Sequence, residues 1–270
     1  MTRIAVMQMT SGIDPLANAS AIVAAIGAAE MGGAVMMFTP EMSGLIDRDR
    51  ERASRAIVRE EDDPVLAAVR DAAARAGIWV ALGSLAVARE DGRWANRSLV
   101  VDSSGKVVAR YDKIHMFDVD LASGESWRES NAYEAGDKVV TVETPAGRLG
   151  LSVCYDIRFP ALFEALGREK CDVIAIPAAF TVPTGEAHWH LLQRARAVEA
   201  SAWVVSAAQT GKHDEGRSTY GHSLVVDPWG DVLLDMGEEA GLAFADLDPG
   251  RIAQVRKQLP SLANRRDIPR

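Results

Sequence analysis

Short apolar runs rich in β-branched residues alternate along the chain with longer Ala-rich stretches of helical period, which predicts strands and helices in turn. Arg3 to Gln8 reads as a first strand. Asp14 then offers a helix cap with Pro15 in the first position, and Leu16, Ala19, Val23 and Ile26 fall on one face. Gly32 and Gly33 stop that helix, and Val35 to Phe38 follows as a buried strand. Asp63 and Pro64 open a second helix, which Gly77 closes ahead of a strand from Ile78 to Leu82. The β-α-β unit therefore recurs.

From Asn96 to Val153 the pattern changes to strand pairs joined by tight turns. Asp102-Ser103-Ser104-Gly105 places Asp first and Gly last, as a type I turn prefers. Helical period resumes over Phe159 to Glu169, followed by a strand at Val173 to Ile176, a helix at His188 to Ala200 and a strand at Trp203 to Ala207. Asp227-Pro228-Trp229-Gly230 turns one more hairpin. This mixture of parallel and antiparallel pairing predicts an α/β fold with helices layered over sheet. No linker, low-complexity tract or repeat marks a boundary, so residues 1–270 read as one domain.

Composition narrows the function classes. A chain of 270 residues that is 48% hydrophobic and 25% charged can bury a core and carries no signature of disorder. Its net charge of -8 has the wrong sign for a nucleic-acid backbone or an anionic membrane. Cys154 and Cys171 form neither a disulfide framework nor a CxxC pair, which fits a reducing, cytoplasmic setting. The apolar N-terminal run is too short for a signal-peptide core, and no stretch approaches the roughly 18 apolar residues that span a bilayer.

Three chemically capable side chains each follow an apolar strand: Glu41, Lys113 and Cys154. Ligands of open α/β sheets bind beyond the carboxyl ends of strands, where residues distant in sequence meet. A free thiol near pKa 8.5 is mostly protonated at neutral pH and needs a base or a cation to become a nucleophile. A glutamate can take the proton, and a lysine ammonium can hold a thiolate or the oxyanion of an attacked carbonyl. The set describes acyl transfer. Cysteine alone is more often a core residue, but the polar segment after Cys154 sits between a strand and a helix, where backbone N–H groups are free to face an anion.

Pro40-Glu41, Tyr111-Asp112-Lys113-Ile114-His115 and Cys154-Tyr155-Asp156-Ile157-Arg158-Phe159-Pro160 resemble, in this order, the catalytic blocks of the nitrilase superfamily of carbon–nitrogen hydrolases. The resemblance covers nearly the whole chain. It implies a four-layer α-β-β-α sandwich, a homodimer or higher homo-oligomer, and no metal or organic cofactor. It also implies a second glutamate, matched here by Glu129, that orients Lys113 and the substrate amide. Pro177 to Thr181, Thr184 to Trp189, Ala207 to Gly211 and Tyr220 to Ser223 look like the amidases acting on deaminated glutathione and, less closely, the omega-amidases acting on 2-oxoglutaramate or 2-oxosuccinamate.

The expected activity is therefore hydrolysis of the primary amide of a small carboxylate-bearing substrate, most closely deaminated glutathione, through a thioester on Cys154. A thiol-sensing or binding protein is the alternative from another class. Arg158 can present a guanidinium fork to a substrate carboxylate or pair with Asp156, the N–H of Tyr155 can face an oxyanion, and Phe180 and Thr181 can line the pocket. His188 and His190, two apart on a helix, face different directions and do not predict a metal site. The basic tail from Asn264 to Arg270 is a candidate contact for a partner subunit.

Overall fold

In the first strand, β1 (Thr2–Gln8), Ile4 and Val6 enter one apolar core while Ala5 and Met7 enter another. A strand buried on both faces must lie between layers. The structure is a computed structural model that describes residues 1–120, 124 and 126–266. Its first half lays down β2 (Met36–Phe38), β3 (Trp79–Ala88), β4 (Trp94–Val101) and β5 (Val107–Asp112), then a small antiparallel pair, β6 (Asp118–Asp120) and β7 (Ser126–Arg128). The second half adds β8 (Thr141–Thr144), β9 (Gly147–Leu151), β10 (Val173–Ala175) and β11 (Trp203–Ser206). A second small pair follows, β12 (Thr210–Lys212) with β13 (Ser218–Tyr220), and then β14 (Leu224–Val226) and β15 (Val232–Asp235). Finally β16 (Gly241–Leu247) returns antiparallel to β1.

Two six-stranded sheets result, in the orders β16-β1-β2-β3-β4-β5 and β15-β14-β11-β10-β9-β8. Helices α1 (Pro15–Met31) and α3 (Pro64–Ala76) bury Ile22, Ile26, Leu66 and Val69 against one face of the first sheet. Helices α4 (Pro160–Arg168) and α5 (Val182–Ala200) pack Phe163, Leu166, Trp189 and Ala197 into the core that holds the second sheet. The inner faces of both sheets share that core, where Val6 and Phe38 join Leu151 and Val173. The layers are thus α-β-β-α. Two further helices, α2 (Arg50–Ala56) and α6 (Pro249–Gln258), complete the α-helices among the described residues.

Local chemistry accounts for most boundaries. Asp14 and Asp63 each accept a backbone N–H of the helix they precede, Leu16 and Leu66, and each helix has Pro in its first turn. The predicted turns at Asp102 and Asp227 close through Gly105 N–H and Gly230 N–H, both at 2.9 Å. Two expectations need correction. The buried stripe of α1 is Asn18, Ala19, Ile22, Ile26 and Ala29, whereas Leu16 is exposed. Helix α5 starts at Val182 rather than near His188, because Thr181 takes an extended conformation and Pro183 fits a first helical turn where its missing N–H costs nothing. Of the C-terminal tail, Arg265 donates to Glu164 O on α4 at 3.0 Å, and residues 267–270 lie outside the described residues.

Candidate active site

Glu41 follows β2 on a loop that crosses β3 at Gly83. A Cβ at Gly83 would lie 2.1 Å from Thr39 O and 2.3 Å from Pro40 O, so only glycine permits the crossing. Gly83 N–H also donates to Thr39 Oγ1 at 3.0 Å, and the β3–β4 register shifts between Leu82 and Leu85 at this point. The loop is thereby clamped to the sheet, which aims Glu41 inward. Lys113 directly follows β5, where its N–H donates to Asn96 O of β4 at 2.9 Å.

Cys154 comes shortly after β9 and opens a short 3-10 helix, Cys154–Arg158. Its φ of 50° is left-handed, a conformation that costs a non-glycine residue about 1–3 kcal/mol and persists only when its surroundings over-determine it. Those surroundings are visible. Cys154 N–H donates to Pro177 O at 2.8 Å. Asp156, fully buried, accepts Val153 N–H at 2.8 Å, Tyr111 OH at 2.7 Å and His115 N–H at 3.0 Å, and its Oδ1 lies 2.7 Å from His115 Nδ1. Asp156 braces the turn and does not pair with Arg158.

The three strand ends converge. Glu41, Lys113 and Cys154 are 4%, 2% and 7% exposed. Lys113 Nζ lies 3.0 Å from Glu41 Oε1 and 2.9 Å from Glu129 Oε2, so the second glutamate clamps the ammonium from the far side. Glu129 reaches this position from the turn after β7 and also accepts Phe117 N–H at 2.7 Å. Glu41 Oε2 accepts Ala179 N–H at 2.9 Å, and the Cys154 thiol donates to Glu41 as well.

Electrostatics assign the resting protonation. Burial pushes the Glu41 carboxyl up, but the charge on Lys113 and hydrogen bonds from Cys154, Lys113 and Asn96 outweigh it and hold Glu41 below the ordinary carboxylate range. Burial disfavours the charged Lys113, yet Glu129 and Glu41 raise it well above an ordinary lysine. Burial and the Glu41 charge raise the Cys154 thiol, and Lys113 does not reverse this. The resting site therefore holds carboxylate, ammonium and neutral thiol. Such a set suits a thiol that loses its proton only as it attacks, with a carboxylate beside it to take that proton and a cation nearby to meet negative charge.

A cavity of about 290 Å³ opens over these groups, the scale of a small molecule rather than a polymer. Tyr155, Arg158, Phe180 and Thr181 all line it. Arg158 lies 5.9 Å from the Tyr155 ring centroid and 5.4 Å from that of Phe180, with its guanidinium 3.3 Å from His188 Nδ1. Among the described residues it has no carboxylate partner. His190 diverges from His188 and instead meets Asp235, 2.9 Å away, which also takes His222 at 2.9 Å.

Sequence reasoning missed Asn96. Its Nδ2 donates to Glu41 Oε1 at 2.9 Å and to Glu129 Oε1 at 3.0 Å, and the residue is fully buried. An amide at an inward position of a strand that otherwise buries Ala95, Leu99 and Val100 was the available signal. The backbone donor at Ala179 left none.

A family model described as carbon–nitrogen hydrolase matches residues 3–257. Among curated relatives, the deaminated glutathione amidase of Yersinia enterocolitica is 38% identical over 268 residues, covering 98% of this chain and 93% of that one. The deaminated glutathione amidase of Homo sapiens is 37% identical over 268 residues, covering 97% and 82%. Among solved structures, the Caenorhabditis elegans NitFhit protein superposes with a TM-score of 0.91 at 37% identity, over 98% of this chain and 65% of that longer one. An amidase variant from Nesterenkonia sp. AN1, with acrylamide added to its active-site cysteine, superposes with a TM-score of 0.81 at 27% identity, over 96% of this chain and 98% of that one.

Proposed function

Because the chain belongs to the carbon–nitrogen hydrolase family and is an amidase, we propose that it hydrolyses deaminated glutathione through a thioester on Cys154. The convergence of Glu41, Lys113 and Cys154 around one buried ammonium carries this reading. Glu41 accepts the Cys154 proton as Sγ bonds to the amide carbon. Lys113 Nζ and the N–H of Tyr155, in the first turn of the 3-10 helix, hold the oxyanion. Glu41 then gives its proton to the leaving nitrogen, the carbon–nitrogen bond breaks and the thioester remains. Water attacks that thioester as Glu41 takes its proton, which releases the acid and restores the thiol. Glu129 fixes Lys113 throughout.

The expectation of a primary amide needs correcting for this substrate, because deaminated glutathione contains none. Its scissile bond is the secondary amide between an oxo acid and cysteinylglycine, so the leaving group is an amine, and ammonia is expected only from primary amides such as 2-oxoglutaramate. Arg158 supports either substrate, because its guanidinium lies in the pocket without a carboxylate partner and both molecules carry a carboxylate on the acyl side.

Leu191 and Val198, seven residues apart on one face of α5, are exposed apolar side chains that a second copy of the chain would cover, in support of a homodimer, which sedimentation would test; a monomer at micromolar concentration would count against it. Both cysteines are free and, among the described residues, no helix is long and apolar enough to cross a membrane. The cysteines support a reducing, cytoplasmic setting.

Initial rates with deaminated glutathione and 2-oxoglutaramate, measured side by side with Cys154→Ala as the blank, test the reading. Faster release of cysteinylglycine than of ammonia, lost in the variant, supports it. The opposite preference reassigns the substrate to the omega-amidase class, and activity retained in Cys154→Ala would falsify the mechanism.

A further inference from the structure

The cavity continues beyond the reacting groups into a second cationic region. From Cys154 its wall runs along Tyr155 to Phe117, with ring centroids 5.1 Å apart, and on to Trp127, 6.2 Å from Phe117. Two guanidinium groups lie against the Trp127 ring, Arg48 at 4.0 Å and Arg217 at 5.0 Å. Both face Glu215, at 3.6 Å and 3.2 Å; the neighbouring Asp47 is taken up by two hydrogen bonds from Arg52, so two positive charges meet one negative charge that has no other cation among the described residues. The contact is ionic without hydrogen bonds. Arg217 Nε and Trp127 Nε1 are buried with no hydrogen-bond partner, the Glu215 carboxylate has only the backbone N–H of Arg217 as a donor near it, and among the described residues no guanidinium N–H of Arg48 or Arg217 donates a hydrogen bond. Buried donors left in this state are costly unless something satisfies them. A region with excess positive charge and unused guanidinium N–H groups matches a carboxylate, which a guanidinium fork binds through two parallel hydrogen bonds.

We infer that Arg48 and Arg217 form a leaving-side subsite for a carboxylate carried on the amine half of the substrate, while Arg158 receives the carboxylate of the acyl half. The inference rests on the amidase reading above and deepens it. The substrate class is an oxo-acid amide whose amine is itself an acid, such as a dipeptide. Cysteinylglycine fully extended spans about 7 Å, which carries its terminal carboxylate from the reacting centre past the Tyr155 ring to the Phe117 face, on the side from which Arg48 and Arg217 approach over Trp127. A primary amide has nothing on that side to reach the subsite. The arrangement thus favours the longer substrate by attraction, with no need to exclude the shorter one.

The test compares deaminated glutathione, its C-terminal glycinamide analogue and 2-oxoglutaramate in the wild type, Arg48→Ala, Arg217→Ala and Arg217→Lys. The wild type should prefer the free acid over the glycinamide by about tenfold or more in kcat/KM, mainly through KM, as expected for a charge-assisted hydrogen bond. That preference should collapse in both alanine variants and return in part in Arg217→Lys, and the ratio of deaminated glutathione to 2-oxoglutaramate turnover should fall with it. Equal losses on acid and glycinamide, or a wild type indifferent to the terminal carboxylate, would overturn the subsite. Should the wild type turn over none of the three, the functional reading fails separately. Calorimetric binding of the acid and the glycinamide to Cys154→Ala then tests the subsite alone, and equal affinities would overturn it.

Discussion

Glu41 and Glu129 share the same two donors: Lys113 Nζ lies 3.0 Å from Glu41 Oε1 and 2.9 Å from Glu129 Oε2, and Asn96 Nδ2 lies 2.9 Å and 3.0 Å from Oε1 of each. Two carboxyl groups brought this close in a buried site repel unless donors lie between them. Asn96 and Lys113 are those donors. They couple the residue beside the thiol to one on a distant turn, so a change at any of the four is felt at the others.

Replacing Asn96 by Ala removes a hydrogen bond to a buried carboxylate, at a cost of about 1–3 kcal/mol. We expect kcat/KM to fall tenfold or more and the melting temperature to drop by several degrees. Asn96→Asp should be worse than Asn96→Ala, because it adds a third acid where a donor stood. Activity of Asn96→Asp at or above that of Asn96→Ala would contradict the role.

Cys154→Ala and Lys113→Ala should both lose nearly all amidase activity, but for different structural reasons. The alanine at 154 leaves the ion pairs intact and should fold normally. Lys113→Ala leaves Glu41 and Glu129 facing each other without their cation, a loss on the order of 3–5 kcal/mol when a buried pair is broken. Thermal denaturation of the two variants separates these outcomes.

The pH response follows from the direction of each shift. Glu41 is held below its ordinary range by Lys113 against the opposing effect of burial, so its contribution is present above the unfolded value of about 4.3 and is lost as pH falls through the folded one. Cys154 is raised by burial and by Glu41, so its contribution is present below about pH 8.5 and is lost as pH rises through the folded value. The melting temperature of the wild type should therefore decline from about pH 8.5 upward more steeply than that of Cys154→Ala. Iodoacetamide alkylation of Cys154 should keep accelerating above pH 8.5, and a plateau reached by neutral pH would mean a preformed thiolate instead.

Gly83→Ala tests whether the loop crossing positions Glu41. Its Cβ would overlap Thr39 O and Pro40 O, and neither is the flexible end of a side chain. Overpacking of this kind costs about 1–3 kcal/mol, and a shift of about 1 Å in Glu41 can cost on the order of a hundredfold in rate. A soluble Gly83→Ala protein with wild-type kcat would show that Glu41 is held by other means.

Arg158→Ala should raise KM for oxo-acid amides by about tenfold or more while sparing the reaction of Cys154 with iodoacetamide, which carries no carboxylate. Equal losses on both would place Arg158 in the packing of Tyr155 and Phe180 rather than on substrate.

The chain's own pattern determined the elements and their order. Period-two and period-3.6 apolar spacing, with Asp14-Pro15, Asp63-Pro64 and Gly77 at helix ends, are local signals, because propensity and capping act within a few residues. The same locality made Glu41, Lys113 and Cys154 conspicuous at their strand ends. It failed at α5, where Pro183 and Gly185 look like breakers yet lie inside the helix, and at Leu16, whose exposure depends on how α1 is rolled against the sheet. The tertiary structure alone made Asn96, the Ala179 N–H and Asp156 parts of one assembly, since each acts across a separation that no local rule spans. It also decided that Arg158 faces the cavity instead of Asp156, and that Arg48 and Arg217 meet over Trp127. Charge pairing and hydrogen bonding depend on distance in space, and that distance is set only when the two sheets pack.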